Sequence, residues 1–315
     1  MNVCNPNMSN LKTIIQERNR LFEDTRAFFK SRNILEVDTP LIRNDTVTDP
    51  YMSAYSVIDL NSQLKGYLQT SPEYAMKILL SKGSGDIFQL SKMFRAEENS
   101  PIHSSEFTML EWYRVAFNHF DLIKETTDFI QSIVGMKTVN ILSYKDIFNR
   151  VLAIDPFEIK LESLKKLSKT ELGDIPLELL FDNYLTLLFS EKIEATFNPN
   201  EITVIHSYPT SQASLAKTSE KNGLVTADRF EIYLGGLELA NGFNELTDAI
   251  EQKQRFEEDN QLRKQFDLNP IEVDNEFINA LEHGIPDCAG VALGLDRLLM
   301  IKLKIKHITD VLVLL

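Results

Sequence analysis

Three stretches of the sequence set charged side chains among residues that ordinarily pack a core, and each points to a particular chemistry. In MFRAEENSPIHSSEFTMLEWY, Arg95 leaves one β-rich run, Glu97, Glu98 and His103 occupy a polar loop, and Phe107 enters the next run. A guanidinium and a flat ring projecting from one antiparallel pair can grip a phosphate and stack a planar base. The same residues also read as a surface ion pair beside a core phenylalanine, and the pattern alone leaves both open. In GVALGLDRLLM, Gly290, Ala292 and Gly294 keep the backbone accessible to a ligand, and Arg297 falls in the first turn of a helix. Helix starts favour negative neighbours, so a cation there requires an anion or a ring to compensate it; local pairing with Asp296 is the plain alternative. In FEIYLGGLELANGFNELTD, Glu231, Glu238 and Glu245 recur at seven-residue steps in an apolar, Gly-rich β context. Carboxylates buried in such strands need a cation. Glu231 and Glu238 suit Mg²⁺, which takes one or two protein carboxylates and completes its shell with phosphate oxygens, and Glu245 is left for another partner; a solvated strand face is the alternative.

The hydrophobic pattern outlines the scaffold that must position these groups. Leu11, Ile14, Ile15, Leu21, Phe22, Thr25, Phe28 and Phe29 recur at three- and four-residue spacing, predicting a long amphipathic helix against a sheet or a partner subunit. ILEVDTPLI follows; its Pro40 cannot donate to a ladder, so this strand lies at an edge or ends there. TSPEYAMKILLSKG predicts a helix with Ser71 as N-cap, Pro72 at the first position, Glu73 at the positive end and Gly83 closing it. Asp86 to Ala116 predicts two antiparallel strands joined by a polar loop, with Trp112 as core packing. A helix is expected over Asp121 to Val134, and residues 139–200 alternate short helical patterns with loops and show no chemical motif. EITVIHSYP and RFEIYLGGLELANGF predict strands, Ala249 to Phe266 and Glu272 to His283 predict helices, and GVALGLDRLLMIKL turns from strand into helix. His119, His206, His283 and His307 have no partners at ligand spacing and read as structural or surface residues. Without a repeat or linker, residues 1–315 read as one domain with a mostly helical insertion at about 137–200.

Composition narrows the function classes. The chain has 315 residues, 43% hydrophobic and 25% charged, and 33 Lys and Arg against 46 Asp and Glu leave a net charge of −13. That sign excludes a surface docked wholly on nucleic acid. Cys4 and Cys288 lie far apart without ligands at metal spacing, which supports neither a disulfide framework nor a zinc site. No stretch approaches the ~20 apolar residues of a membrane span, and no signal peptide is visible. The expectation is a soluble, cytoplasmic protein with no membrane partner.

The order of these stretches carries a resemblance. ILEVDTPLI resembles motif 1 of the class II aminoacyl-tRNA synthetases, MFRAEENSPIHSSEFTMLEWY resembles motif 2, and GVALGLDRLLM resembles motif 3. TSPEYAMKILL, EFTMLEWYR and ELANGFNELTDAIEQKQRF are similar to the lysyl branch, and the length is similar to that of short lysyl-tRNA synthetase paralogues. The resemblance implies an α+β fold, an antiparallel sheet flanked by helices without an anticodon-binding OB domain, and a homodimer formed through motif 1. It also implies an AMP-forming ligase of amino acid to protein, with ATP as co-substrate and Mg²⁺ as cofactor. Such an enzyme activates lysine or (R)-β-lysine and passes it to a lysine side chain of elongation factor P, with no tRNA involved. A truncated synthetase charging tRNA or another acceptor, and an inactive regulatory paralogue, are the alternatives.

Residue by residue, the resemblance implies that Arg95 binds the α-phosphate, Phe107 stacks on adenine, and Arg297 covers the other adenine face near the γ-phosphate; these two arginines are the catalytic pair. Ala96, Glu97, His103, Ser104 and Gly294 fall at ATP-contacting positions. Glu238 and Leu239 would hold the nucleotide, and Glu238 with Glu231 its Mg²⁺. Ser71, Pro72, Glu73, Tyr113, Asn241 and Glu245 fall in the amino-acid pocket, with Glu73 at the α-amino group and Tyr113 and Glu245 at the side-chain ammonium. Lysyl-type enzymes commonly begin the motif 2 loop Arg-Asn-Glu and place an Arg shortly before His-Asn-Pro. Ala96, Pro101 and Ser104-Ser105 depart from that pattern, so a basic contact to the triphosphate is either missing or supplied by Lys92. Ala292 stands where that branch usually carries Gly, which fits an amino group shifted along the substrate chain.

Overall fold

The computed structural model describes residues 6–173 and 179–312. Cys4 and part of the expected insertion lie outside these residues, while Cys288 is a buried free thiol. The N-terminal amphipathic run forms α1 (Pro6–Lys30), and its buried stripe holds Leu21, Thr25 and Phe29. Phe29 stacks on Phe88 at 4.5 Å and meets Trp112 edge-on at 5.2 Å. Leu11 and Ile15, placed on the same stripe by their spacing, remain 42% and 46% exposed.

After α1 come β1 (Leu35–Glu36) and a small sheet of β2 (Ile42–Arg43), β3 (Ser56–Ile58) and β4 (Leu64–Leu68). Pro40 separates β1 from β2, and β1 is the edge of the main sheet, as the proline requires. Helix α2 (Glu73–Ser81) starts one residue later than its sequence suggests: Pro72 is at the cap position, and the Ser71 hydroxyl accepts the Glu73 N–H at 3.3 Å. The hairpin β5 (Ile87–Phe94) and β6 (Glu106–Val115) is followed by α3 (His119–Val134), which Asn118 and Asp121 close with a reciprocal capping box. The middle third then gives β7 (Val139–Ser143), α4 (Tyr144–Leu152), α5 (Leu161–Leu172) and α6 (Phe181–Leu188). Its opening residues are therefore a strand, which the helical pattern hid; β7 pairs in parallel with β8 (Ile202–Tyr208) and extends the main sheet.

The remaining strands are β9 (Thr218–Lys221), β10 (Leu224–Leu234) and β11 (Leu237–Asn244). Two-residue turns join them, Asn222-Gly223 and Gly235-Gly236, all four residues at positive φ as hairpins of this hand require. After α7 (Ala249–Gln265) and α8 (Asn275–His283), β12 (Cys288–Gly294) runs directly into α9 (Leu295–Leu303). The main sheet has nine strands among the described residues, in the order β1-β5-β6-β12-β11-β10-β8-β7 with β9 beside β10. All its pairs except the two edge ones are antiparallel.

Strand alternation gives this sheet two unlike faces. On one, Leu110, Leu293, Ala240, Ile232 and Val204 lie side by side across five strands and are buried with residues of α1, α3 and α9. On the other, Glu111, Ala292, Asn241 and Glu231 form a register row across β6, β12, β11 and β10. That second face is walled on one side by α2 and α8 and on the other by the helices of the middle third.

Asp296, in the first turn of α9, ties that helix to α1 and to β6. It accepts from Arg18 of α1 at 2.5 Å and from the backbone N–H of Thr108 in β6 at 2.6 Å. It does not pair with Arg297. Truncating one side of a buried ion pair strands the other charge, so Asp296→Ala should cost about 3–5 kcal/mol. The expected result is a lower midpoint in urea unfolding with an unchanged slope.

Candidate active site

The polar face of the sheet opens into one cavity of about 870 Å³. Arg95, Phe107 and Arg297 line it together with Glu73, Tyr113, Asn241 and Glu245, so the guanidinium end and the carboxylate end share a single space. Ser71, His103, Ser104, Glu231, Glu238, Leu239, Ala292 and Gly294 also line it. Three expected positions do not. Pro72 is buried behind the start of α2, the Ala96 N–H is tied to the Ser53 carbonyl at 2.8 Å, and Glu97 is exposed in a left-handed turn at φ 68°. Glu98 takes the place expected of Glu97, 3.5 Å from Arg95. Lys92 is directed to Glu106 at 3.1 Å and is absent from the wall, so it is not the substitute cation for the altered loop.

At one end, the Arg95 guanidinium lies 5.2 Å from the centre of the Phe107 ring and its Nε donates to the Thr70 carbonyl at 3.3 Å. Arg297 donates to two backbone carbonyls, Glu238 at 2.8 Å and Ile102 at 3.2 Å. With Asp296 committed to Arg18 and Thr108, neither arginine of this end has a close carboxylate partner among the described residues beyond the loose contact with Glu98. His103, bonded to the Ser100 hydroxyl at 2.8 Å, has its pKa lowered by burial and by the charge on Arg297. It is thereby held neutral beside two cations.

At the centre, Glu231 is held by three donors: the hydroxyls of Tyr208 at 2.6 Å and Tyr233 at 2.5 Å, and Arg229 at 2.5 Å. Glu238 and Glu194 are each pushed up to about 7 by desolvation first, then by Glu231 for Glu238 and by Glu238 for Glu194. Glu194 comes from the middle third, where the sequence shows no chemical motif. A carboxylate group short of positive charge suits a divalent cation. Among the described residues no cluster of three or more His, Cys, Asp and Glu has metal-site geometry, so most ligands of such an ion must come from elsewhere.

At the other end, Glu111 and Tyr113 sit two residues apart on one face of β6, and the Tyr113 hydroxyl donates to Glu111 at 2.7 Å. Glu111 was not singled out in the sequence, although strand alternation puts it in line with Phe107 and Tyr113. It is pushed up to about 8, by burial first and then by the charge on Glu73. Glu245 is 1% exposed and pushed up to about 7, by burial and again by Glu73. Gly290 on β12 makes room here: a methyl group at that position would run into the Tyr113 ring and Glu245 Oε1. Two buried acceptors in this wall, Glu111 Oε2 and Asn241 Oδ1, have no hydrogen bond among the described residues, and Glu245 Oε2 is met from behind by the Lys77 ammonium at 2.5 Å. Oxygens so placed are costly unless N–H donors meet them.

The shifts make a stability prediction. Glu111 and Glu245 bind protons in the folded chain up to pH about 8 and 7, whereas the ordinary carboxylate value is 4.5. Between 4.5 and these values the folded state holds more protons than the unfolded one, so stability falls as pH rises from about 4.5 and the loss is complete a little above pH 8. Thermal melts without ligand should show the midpoint falling from pH 6 to 8.5. Glu111→Gln should flatten that fall and raise the midpoint at pH 8.5 by roughly 3 °C, corresponding to ~1 kcal/mol in a chain of this size.

Comparison with known proteins agrees with this geometry. The sequence model of the family described as tRNA synthetases class II (D, K and N) matches residues 2–314. The chain is 42% identical over 307 residues to the elongation factor P–(R)-β-lysine ligase of Haemophilus ducreyi, covering 96% of this chain and 93% of that protein. It is 43% identical over 303 residues to the enzyme of that name from Pseudoalteromonas translucida, covering 94% and 93%, and to that from Vibrio atlanticus, covering 94% and 94%. With an antiparallel sheet carrying paired arginines at one end of its cleft and a match along nearly its whole length, the chain belongs to the class II tRNA synthetases of the D, K and N group.

Proposed function

We propose that this protein is an ATP-dependent, AMP-forming ligase that activates a lysine-type diamino acid, (R)-β-lysine or lysine, and transfers it to a lysine side chain of elongation factor P. The observation that carries this reading is the polarity of the cavity: the guanidinium groups of Arg95 and Arg297 at one end, the carboxylates of Glu73, Glu111 and Glu245 and the Asn241 amide oxygen at the other. A polyanionic triphosphate fits the first and a substrate with two ammonium groups fits the second. The relatives named above carry this activity in their names, at 42% and 43% identity.

In this mechanism Phe107 and Arg297 hold the adenine, and Arg95 withdraws charge from the α-phosphate. His103, Ser104, Leu239 and Gly294 complete the nucleotide wall. Mg²⁺ would be held by Glu238, with Glu231 and the triphosphate oxygens, and its chemistry is neutralisation of phosphate charge. Glu73 takes one substrate ammonium; Glu111, Tyr113 and Glu245 take the other, and Ser71 and Asn241 orient the chain between them. The substrate carboxylate, left unpaired by a wall of carboxylates, faces the α-phosphorus. Its oxygen forms the new P–O bond as the bond to pyrophosphate breaks, giving the aminoacyl-adenylate. The acceptor amine then attacks the acyl carbon and AMP leaves. No side chain forms a covalent bond; orientation and fixed charge supply the acceleration.

We also propose that the protein works as a homodimer in the cytoplasm. Leu11 and Ile15 of α1 and Leu35 and Ile42 of the motif 1 segment stay between 42% and 61% exposed in the single chain, apolar side chains that a second copy could cover. No helix among the described residues is long and apolar enough to cross a membrane.

Pyrophosphate exchange tests the activation step. Arg95→Ala should lower exchange with either diamino acid by roughly 10²–10³-fold, the loss typical of one preorganised charge-stabilising group; retained exchange would remove Arg95 from the mechanism. Adding elongation factor P or tRNA to the adenylate then decides the acceptor, and label transfer to tRNA alone would refute protein ligation. The Ala292 methyl group lies in register between Glu111 and Asn241. Ala292→Gly should shift the ratio of kcat/KM for lysine over (R)-β-lysine upward by roughly tenfold, within the range that one carbon in a pocket commands.

A further inference from the structure

Beneath the carboxylate end lies a cation that the mechanism has not used. Lys77, one turn after Glu73 on α2, is completely buried and outside the cavity wall. Its ammonium is 2.7 Å from Glu73 Oε1 and 2.5 Å from Glu245 Oε2, the latter contact off the line of a directed hydrogen bond. The Phe277 ring of α8 lies 5.8 Å away. The other titratable groups facing this point are Glu111 and Tyr113 of β6 and Cys288 of β12.

With all its carboxylates ionised, the group Glu73, Glu111 and Glu245 carries three negative charges, and Lys77 cancels one. Two remain. Resting on the diamino acid reading above, we propose that Lys77 is a positioning residue, a built-in counter-ion that pins Glu73 and Glu245 and trims the pocket to the charge of a substrate with two ammonium groups. Without it, the three carboxylates repel one another and hold protons near neutral pH, which leaves them less able to take an ammonium. An amino acid with a single ammonium leaves one buried carboxylate uncompensated and is rejected on charge, whatever its length.

The electrostatics agree in direction. Burial alone would lower the Lys77 pKa, but Glu245 and Glu73 outweigh it and hold the ammonium ionised. Lys77 in turn lowers the pKa of both Glu111 and Glu245, opposing their burial. The cation therefore keeps these carboxylates available to substrate near neutral pH.

The test is Lys77→Met, a near-isosteric replacement without charge, in the whole protein. At pH 7 the KM for lysine and (R)-β-lysine in pyrophosphate exchange should rise tenfold or more while the KM for ATP stays within twofold. Raising the pH to 8.5 should shrink that deficit, since the carboxylates now need a higher pH to ionise. An unchanged amino-acid KM, or a deficit constant with pH, overturns the proposal. Melts without substrate give a second readout: the fall of Tm from pH 6.5 to 8.5 should be steeper than in the unmutated protein, and an equal slope overturns the proposal. If Lys77→Met does not fold, Lys77→Met/Glu245→Gln, which removes both charges of the pair, should fold; failure of both variants would make Lys77 a packing residue only. If the unmutated protein activates no diamino acid, the functional reading fails, whereas the melts still test the counter-ion by themselves.

Discussion

Carboxylates held in a dry sheet floor must be answered by cations, and this constraint organises the molecule around its cleft. Glu231 is answered by Arg229 and two tyrosine hydroxyls, and Glu73 and Glu245 by Lys77. Glu111 has one tyrosine hydroxyl and no cation of its own, and it is pushed up to about 8. The internal cations leave a deficit of positive charge confined to the cleft, where a ligand can supply it. At the opposite end the imbalance reverses, because Asp296 is committed to Arg18 and Thr108 and leaves Arg297 without a direct ion pair among the described residues. Binding and folding thus compete for the same charges, and the protein keeps its uncompensated groups where substrate arrives.

The sheet can host this because one face carries a continuous apolar core, while apolar packing beside the opposite face is kept to its two flanks. The apolar face buries Leu110, Leu293, Ala240, Ile232 and Val204 against three helices and supplies the hydrophobic term. The opposite face can then be polar without unfolding the chain. Its side chains project from strands whose backbones are paired in ladders, which fixes their spacing. Gly290 shows how tightly that face is fitted: its missing side chain is the space used by Tyr113 and Glu245, from two different segments. A ligand site built on paired strands rather than on loops holds its groups at fixed spacing.

Much of this was legible in the sequence where local rules operate. The hairpin of β5 and β6, the Gly-Gly turn and the Arg at the head of α9 follow from turn chemistry and from the resemblance to the three motifs, and the cavity gathers Arg95, Phe107, Arg297, Glu73 and Glu245. What failed has physical causes. Lys77 after Glu73 reads as an ordinary surface pair on a helix, since nothing local says that α8 and the segment after β11 will cover it. The true partner of Asp296 is Arg18, 278 residues away, so the adjacent arginine was the natural but wrong candidate. Glu194 reaches the cleft only because the middle third packs over Tyr208 and Tyr233. Glu111 differs, because its signal was present: the two-residue period of β6 places it with Phe107 and Tyr113, but a glutamate between Leu110 and Trp112 draws attention to the core instead.

The same rigidity bears on how such a site changes substrate. Phe107 and Glu111 are four residues apart on β6, a distance of ~13 Å along an extended strand. The sheet therefore works as a ruler between the base-stacking ring and the ammonium-binding carboxylate. Moving an amino group by one carbon displaces it by about a bond length, far less than any one-residue slip of register, and a slip would turn every side chain to the other face. A fixed frame can absorb that displacement only through side-chain volume at a point between the carboxylates, and Ala292 is in register with Glu111 on one side and Asn241 on the other. Charge count and chain length are in this way read by different atoms: Lys77 and its carboxylates set how many ammonium groups are accepted, while the row through Ala292 sets where they sit.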